Sequence, residues 1–346
     1  MRLEPLHGYV LVPLFLIMDL YCTVLLRVRE TAYFSGVVFL AVAINHFTDA
    51  DPYLFAFNRL LDTMIGIAVA SAVNRLHLPR ARHTDTLYVS ALGHSLLDSE
   101  SRLSDYSRVE LNRLIDDGMK FSLSTIQTQA TVRELLPGVH LRCPIITMDG
   151  AALYDMGSLS YLRTTPMSAE KAKRITAWCR ERELPFFSNS IEQNLLVIRF
   201  RELSNEGMRR LFEEKRGSPY RNYIRAEADD CGHVVYLLVL DGSERIEAAH
   251  EALLREAWSA DYRVVKSDSP YEGFSCLKIY DCACSRAAML RELETVMGTK
   301  ETVTFGADAS RCDVAIANSD RNLLVRELKR RFEPVDLRCW KSIFRW

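Results

Sequence analysis

The sequence predicts an α/β protein: a Rossmann-like parallel-sheet core, an α/β module inserted into it, and about three transmembrane helices ahead of both. Three observations predict this. Apolar residues crowd into three runs within the first eighty positions. After a short basic stretch the pattern changes to strands alternating with amphipathic helices, the mark of a parallel sheet covered on both faces. That alternation is interrupted from about residue 152 to 266 by a second one, then resumes.

At 346 residues the chain is long enough for two or more domains. Forty-four Lys+Arg against 45 Asp+Glu leave a net charge of -1, which gives no basic surface for nucleic acid and excludes it as a partner. The 9 cysteines are odd in number and irregularly spaced. They read as reduced thiols of a cytosol-facing protein rather than a disulfide framework. Cys276, Cys282, Cys284 and Cys312 match no common zinc spacing and read as small buried hydrophobes.

The first eighty residues come first. The run 8–26 is broken only by Asp19, and runs 31–46 and 60–76 follow, the third carrying Asp62 near its beginning. Such runs suit a hydrocarbon layer of roughly 30 Å, and three in succession are unlike a signal peptide. Arg27 and Arg29 follow the first run and Arg75, Arg80 and Arg82 the third, which places everything after Arg75 in the cytoplasm by the preference of basic residues for that side. Asp19 and Asp62 are costly in lipid and should face other helices. The stretch Asn45-His46-Phe47-Thr48-Asp49, Asn58 to Gly66 and Val73-Asn74-Arg75 resembles the end of the aromatic acid exporter (fusaric acid resistance type) membrane domain. The resemblance implies a bacterial cytoplasmic-membrane location and a six-helix unit of which only the last part is present. Pairing with a membrane-protein partner or a second copy, a truncated start, and use as a simple anchor all remain open.

Residues 80–85 form a basic linker. Thr86–Ala91 reads as a strand. Ser104 to Gly118 reads as a helix, with a Ser cap, helical spacing of Val109, Leu111, Leu114 and Ile115, and a closing Gly. Lys120–Ser124 and Ile145–Met148 are the next strands. Within the inserted module, 152–266, Leu195–Phe200 and Val234–Leu240 read as strands and 169–183, 205–215 and 244–257 as helices. The core, 86–151, resumes over 267–334 with a strand at Val303–Gly306. The tail, 335–346, interleaves aromatic and basic residues, as membrane-surface and partner-docking segments do.

This order resembles the haloacid-dehalogenase superfamily, in its Cof type with a large α/β cap. The phrases that carry the likeness are LGHSLLDSESRLSDYSRVELNRLIDDGMKFSLST, CPIITMDGAALYD leading into the cap, Leu277-Lys278-Ile279 through Leu290 leaving it, and Thr304-Phe305-Gly306. The resemblance spans about residues 85–334. It implies phosphoryl transfer by an Asp nucleophile, a second Asp two residues on as acid and base, and Mg²⁺ held by carboxylates.

The catalytic letters are absent. The phrase DxDGTLL falls on Ala91 to Leu97, so Ala91 occupies the nucleophile position and Gly93 the acid/base position. No Asp or Glu occurs between Thr86 and Leu97, so no one-residue offset restores them. Ser95 and Thr125 fall on hydroxyl positions of the phosphate cradle, and Arg286 on its lysine. The last motif, GDxxND, falls on Gly306 to Arg311, which puts Ala307 and Arg311 on metal-ligand positions. Asp308 and Asp313 are the stand-ins, at a five-residue separation that differs from the family's four. A cation such as Arg311 beside a divalent ion at about 4 Å is opposed by about 4 kcal/mol per unit charge pair at an effective dielectric of 20.

The expectation is therefore a membrane-anchored, catalytically inactive member that uses no Mg²⁺ and serves as sensor, scaffold or regulator, with Thr125, Ser95 and Arg286 binding a phosphorylated small molecule. Two alternatives stand beside it: a subunit of an exporter-like transporter, and a Mg²⁺-dependent phosphatase with non-standard residues.

Overall fold

The computed structural model describes residues 12–21, 35–37, 39–40, 52–75, 82–93, 95–227, 233–316 and 322–334. The chain divides into two units, 1–79 with 337–346, and 80–336.

In the first unit residues 12–21 and 35–37 are helical. Ser35 Oγ donates to both carboxylate oxygens of Asp19 at 2.8 Å, so Asp19 meets a neighbouring segment, as an acid in apolar surroundings must. Helix α1 (Pro52–Arg75) exposes Leu60, Met64 and Ile67, each at more than 60%. The expected membrane crossings are corrected here: among the described residues no helix is long and apolar enough to cross a membrane. Asn58, Arg59 and Asp62 lie within α1, and each polar side chain raises the cost of immersion. Of the expected spans, 8–26 is described over 12–21 and 31–46 only over 35–37 and 39–40, and the tail 335–346 lies outside the described residues.

The second unit is built on two sheets. The core strands are β1 (Thr86–Ala91), β2 (Lys120–Ser124), β3 (Ile145–Thr147), β4 (Ala152–Asp155), β5 (Ser160–Thr164), β12 (Glu301–Gly306) and β13 (Val314–Ala315). They run in the order β13-β12-β1-β2-β3-β4-β5. β13 through β3 are parallel, and β3, β4 and β5 form an antiparallel meander. Leu87, Val89, Leu123 and Ile145 are almost wholly buried, as strands covered on both faces are.

Helix α2 (Asp105–Asp116) begins where Ser104 Oγ accepts from Ser107 N–H at 3.1 Å, and the chain leaves it through Gly118 at φ +101°. Leu111, Leu114 and Ile115 are buried, but Val109, expected on the same face, is 67% exposed. Helix α8 (Leu323–Phe332) buries Leu324, Val325, Leu328 and Phe332. It is tied to α2 by Lys329 to Glu110 at 2.8 Å, and Glu333 just beyond its end is tied to Arg113 at 2.6 Å.

The inserted sheet runs β10-β11-β9-β6-β7-β8, formed by β6 (Phe186–Glu192), β7 (Leu195–Phe200), β8 (Asn222–Arg225), β9 (Val234–Gly242), β10 (Tyr262–Asp268) and β11 (Phe274–Asp281). Helices α4 (Ala169–Glu181) and α6 (Ser243–Leu254) cover one face, where Ile175, Trp178, Ile246 and Leu253 meet Leu237, Val239, Leu277 and Ile279. On the other, Phe187, Tyr236 and Tyr280 pack with Met208 of α5 (Glu206–Lys215) and with Met148, Ala151 and Ala152 of the core.

Sheet membership moves the expected module boundaries. β4 and β5, placed in the insert by sequence, complete the core sheet. β11, placed in the core, pairs along its length with β9 and β10. The inserted module thus begins after Thr164 and ends at Asp281.

Candidate functional site at the strand ends

Parallel α/β sheets bind ligands beyond the carboxyl ends of their strands. Here those ends bring three expected positions together. Ala91 pairs with Ser124, the residue before Thr125, while Ser90 pairs with Phe305, the residue before Gly306. Ala91 is partly buried and Gly93 exposed, and a Cβ added at Gly93 would meet nothing within 4 Å. Space for a side chain exists at this position; a carboxylate does not.

Ser95 is 1% exposed, and its Oγ has no hydrogen-bond partner. Thr125 is held by its backbone, which donates to Ile146 O and accepts from Asp149 N–H, each at 2.9 Å. Its Oγ1 accepts from Gln127 N–H at 3.1 Å. Asp308 and Asp313 are not drawn into the crevice. Asp308 accepts from Ser310 N–H and Oγ, which hold its carboxyl below the usual range. Asp313 accepts from Thr304 N–H and Oγ1 at 2.8 and 2.7 Å with the same consequence. Ala307 and Arg311 are exposed, and Arg311 Nε lies 3.4 Å from Asp308.

Arg286 opens helix α7 (Arg286–Met297), whose cap Ser285 accepts from Ala288 N–H. Its guanidinium does not stand free: Nε donates to Asp149 Oδ1 at 2.5 Å. Asp149 is the residue sequence reasoning missed. It is 5% exposed and lies in a turn where Met148, Asp149 and Gly150 all take positive φ. The same carboxylate accepts from Nη1 of Arg263, on β10, at 2.7 Å, while Arg263 Nη2 reaches Asp149 O at 2.9 Å and Nε reaches Cys284 O at 2.7 Å. The Arg263 guanidinium also stacks on Tyr280 at 4.6 Å. One acid therefore binds the family's cation position to the inserted sheet. The visible signal was an Asp where the phrase leading into the cap usually has Asn.

A second residue missed is Lys278, on β11, whose Nζ donates to Ile126 O at 3.4 Å, in the turn that follows β2. Away from the strand ends, an open cavity of about 530 Å³ lies where Arg133 and Glu134 of α3 (Gln129–Leu135) face Glu214 and Tyr220. Its walls are tied by Arg221, which donates to Glu134 at 2.7 Å and Thr131 at 2.6 Å.

The family model for haloacid dehalogenase-like hydrolases matches residues 89–310. The chain belongs to this family. Among solved haloacid dehalogenase-like structures, one from Bacteroides thetaiotaomicron is 13% identical with a TM-score of 0.58, covering 71% of this chain and 99% of that one. The subclass IIB sugar phosphatase BT4131 is 14% identical with a TM-score of 0.51, over 71% and 98%. TM0651 from Thermotoga maritima is 19% identical with a TM-score of 0.51, over 64% and 79%. At these identities the likeness is one of fold. No curated protein sequence matches the chain. The family match begins at residue 89, so the exporter likeness of the first eighty residues rests on its phrases alone.

Members of the family act with Mg²⁺, and the donors at this strand end do not fit it. Ala91, Ala307 and Arg311 offer no oxygen donors from their side chains, and Asp308 and Asp313 are turned into local hydrogen bonds. Among the described residues no three His, Cys, Asp or Glu side chains are grouped to hold an ion.

Proposed function

We propose that this haloacid dehalogenase-like protein binds a phosphorylated small molecule at its strand-end crevice without hydrolysing it, and acts as a sensor, scaffold or regulator. One observation carries the reading: β1, the central strand of the crevice, ends on Ala91, and Gly93 follows in the loop, so neither nucleophile nor acid is supplied. Removing a single member of a cooperative nucleophilic set can lower turnover by about 10⁶, and here several are lacking together. Thr125 and the buried, unpartnered Ser95 hydroxyl support retained binding. Calorimetric titration with sugar phosphates, nucleotides and flavin phosphates tests it; no heat from any of them refutes it.

Family membership favours a second reading, a Mg²⁺-dependent phosphatase with non-standard residues. It requires phosphate release from a generic phosphomonoester above a heat-treated control, abolished by chelation. For the first unit, the exposed apolar side chains of α1 support attachment to the cytoplasmic face of a bacterial membrane, to a membrane-protein partner, or to a second copy. Recovery of the full chain entirely in the soluble fraction would refute the membrane proposal.

A further inference from the structure

The position of the family's phosphate-binding cation is already paired with an acid. Arg286 Nε and Arg263 Nη1 share the Asp149 carboxylate before a ligand arrives. A different cation stands without a direct ion pair, its nearest electrostatic acid being Asp149. Among the described residues no carboxylate lies within ion-pair distance of Lys278. Its recorded contacts are a carbonyl, Ile126 O at 3.4 Å, and the ring of Tyr236 with its centroid at 6.0 Å. Register places Lys278 opposite Leu238 and Tyr280 opposite Tyr236 on the same sheet face. That face is the one that carries Phe187 and packs against Met148 and Ala151 of the core. Thr125 is one residue from Ile126, so the ammonium reaches the turn where β2 delivers a hydroxyl.

Resting on the phospholigand reading above, we infer that the phosphate of a phosphomonoester is received by Lys278 of the inserted sheet together with Thr125, rather than by Arg286. The chemistry is complementary. A half-buried ammonium without an anion lowers its free energy when one arrives, and Thr125 Oγ1, accepting from Gln127 N–H, keeps its own proton to donate to a phosphate oxygen. The rings of Tyr236 and Tyr280, tilted with centroids 5.3 Å apart, are buried beside the cation and keep its surroundings apolar. The orphaned hydroxyl of Tyr280 is a further group on this face without a partner. Burial pushes the Lys278 ammonium below its ordinary pKa, and a bound phosphate reverses that direction. Arg286 keeps a structural task, holding the Asp149 turn.

The test uses the full chain with inorganic phosphate and glucose 6-phosphate as probes, in wild type, K278Q, K278R and R286Q. Losing one charge-assisted contact weakens binding about 10-fold or more in K278Q, while K278R and R286Q stay within about 3-fold of wild type. If K278Q does not fold, the readout passes to the ¹³C-methylated Lys278 resonance of wild type, identified by its absence from K278R. A shift of that resonance on adding phosphate supports the inference; no shift at saturating phosphate overturns it. If the wild type binds a probe and R286Q rather than K278Q weakens it, the Lys278 assignment falls and the phospholigand reading stands. If the wild type binds neither probe, the Lys278 inference falls, and the nucleotide and flavin phosphate titrations decide the phospholigand reading.

Discussion

Replacing Asp149 measures how firmly the inserted module is tied to the core. The side chain is 7% exposed, with Arg263 at 28% and Arg286 at 50%. Arg286 rehydrates on losing its partner, so that half of the arrangement is worth about 0–1 kcal/mol, as a surface pair is. Arg263 is more enclosed, and its charge-assisted bond is worth about 1.5–3 kcal/mol. It retains Cys284 O, Asp149 O and Tyr280 after the substitution. Asp149→Asn keeps one acceptor and tolerates φ +59°, so a loss of about 1–2 kcal/mol is expected on these figures. Asp149→Ala loses the acceptor and also places alanine in the left-handed region, which adds about 1–2 kcal/mol. Urea denaturation of both variants reads the two steps separately. On a unit of this size each kcal/mol moves the melting temperature by about 2–4 °C. Two variants both within about 0.5 kcal/mol of wild type, the range of ordinary surface changes, would refute the reasoning.

Gly150→Ala should prevent stable folding of the second unit: the glycine has φ +93° and a Cβ there would lie 2.5 Å from the Ser285 carbonyl carbon. Gly93→Ala, with nothing within 4 Å of the added methyl, should leave the melting temperature within about 2 °C, less than 1 kcal/mol on a unit of this size. Arg113 chiefly, with Lys329, holds the Glu110 carboxyl at about 2, below its ordinary 4.5. Its folded value lies below the unfolded one, so its contribution is complete above pH 4.5 and is lost as pH falls toward 2. Glu110→Gln should therefore flatten the fall of the urea midpoint over that window, and an unchanged slope would count against the pairing. Burial pushes the Cys143 thiol up to about 11 and Cys179 to about 12, while Cys282 is exposed. Mass spectrometry after brief alkylation at pH 8 should find Cys282 modified ahead of both; the reverse order would contradict the burial.

Where local signals and tertiary packing agreed, the sequence was readable to the residue. Thr86–Ala91, Lys120–Ser124 and Leu195–Phe200 are strands within those limits, because each is a short segment with apolar residues at its centre. Helix starts at Ser104, Ser168 and Asn205 follow from side chains that accept from the third residue on. β6 was hidden because Ser188, Asn189 and Ser190 are all buried, and their polarity erased the alternation that marks a strand. β11 was misplaced because nothing local in FSCLKIYD tells which of two sheets will pair with it. At the site, the absence of acids was legible from letters alone. The partnership of Asp149 with Arg263 and Arg286 spans 114 and 137 positions, a separation over which periodicity carries no information.

The turn at Met148 to Gly150 fixes where the inserted module is joined. Its outgoing strand begins beside this turn, since Thr165 N–H donates to Ala151 O at 2.9 Å, and its return ends against Gly150, at Ser285. All the traffic between the two sheets passes one address. A mechanical load on the insert would reach the core chain through that short segment, with the Arg221 ties to Glu134 and Thr131 sharing it. The meander β3 to β5 is complete before the chain departs, and β12 and β13 join beside β1 only after it returns, so the whole excursion can be enlarged or exchanged without re-pairing a core strand.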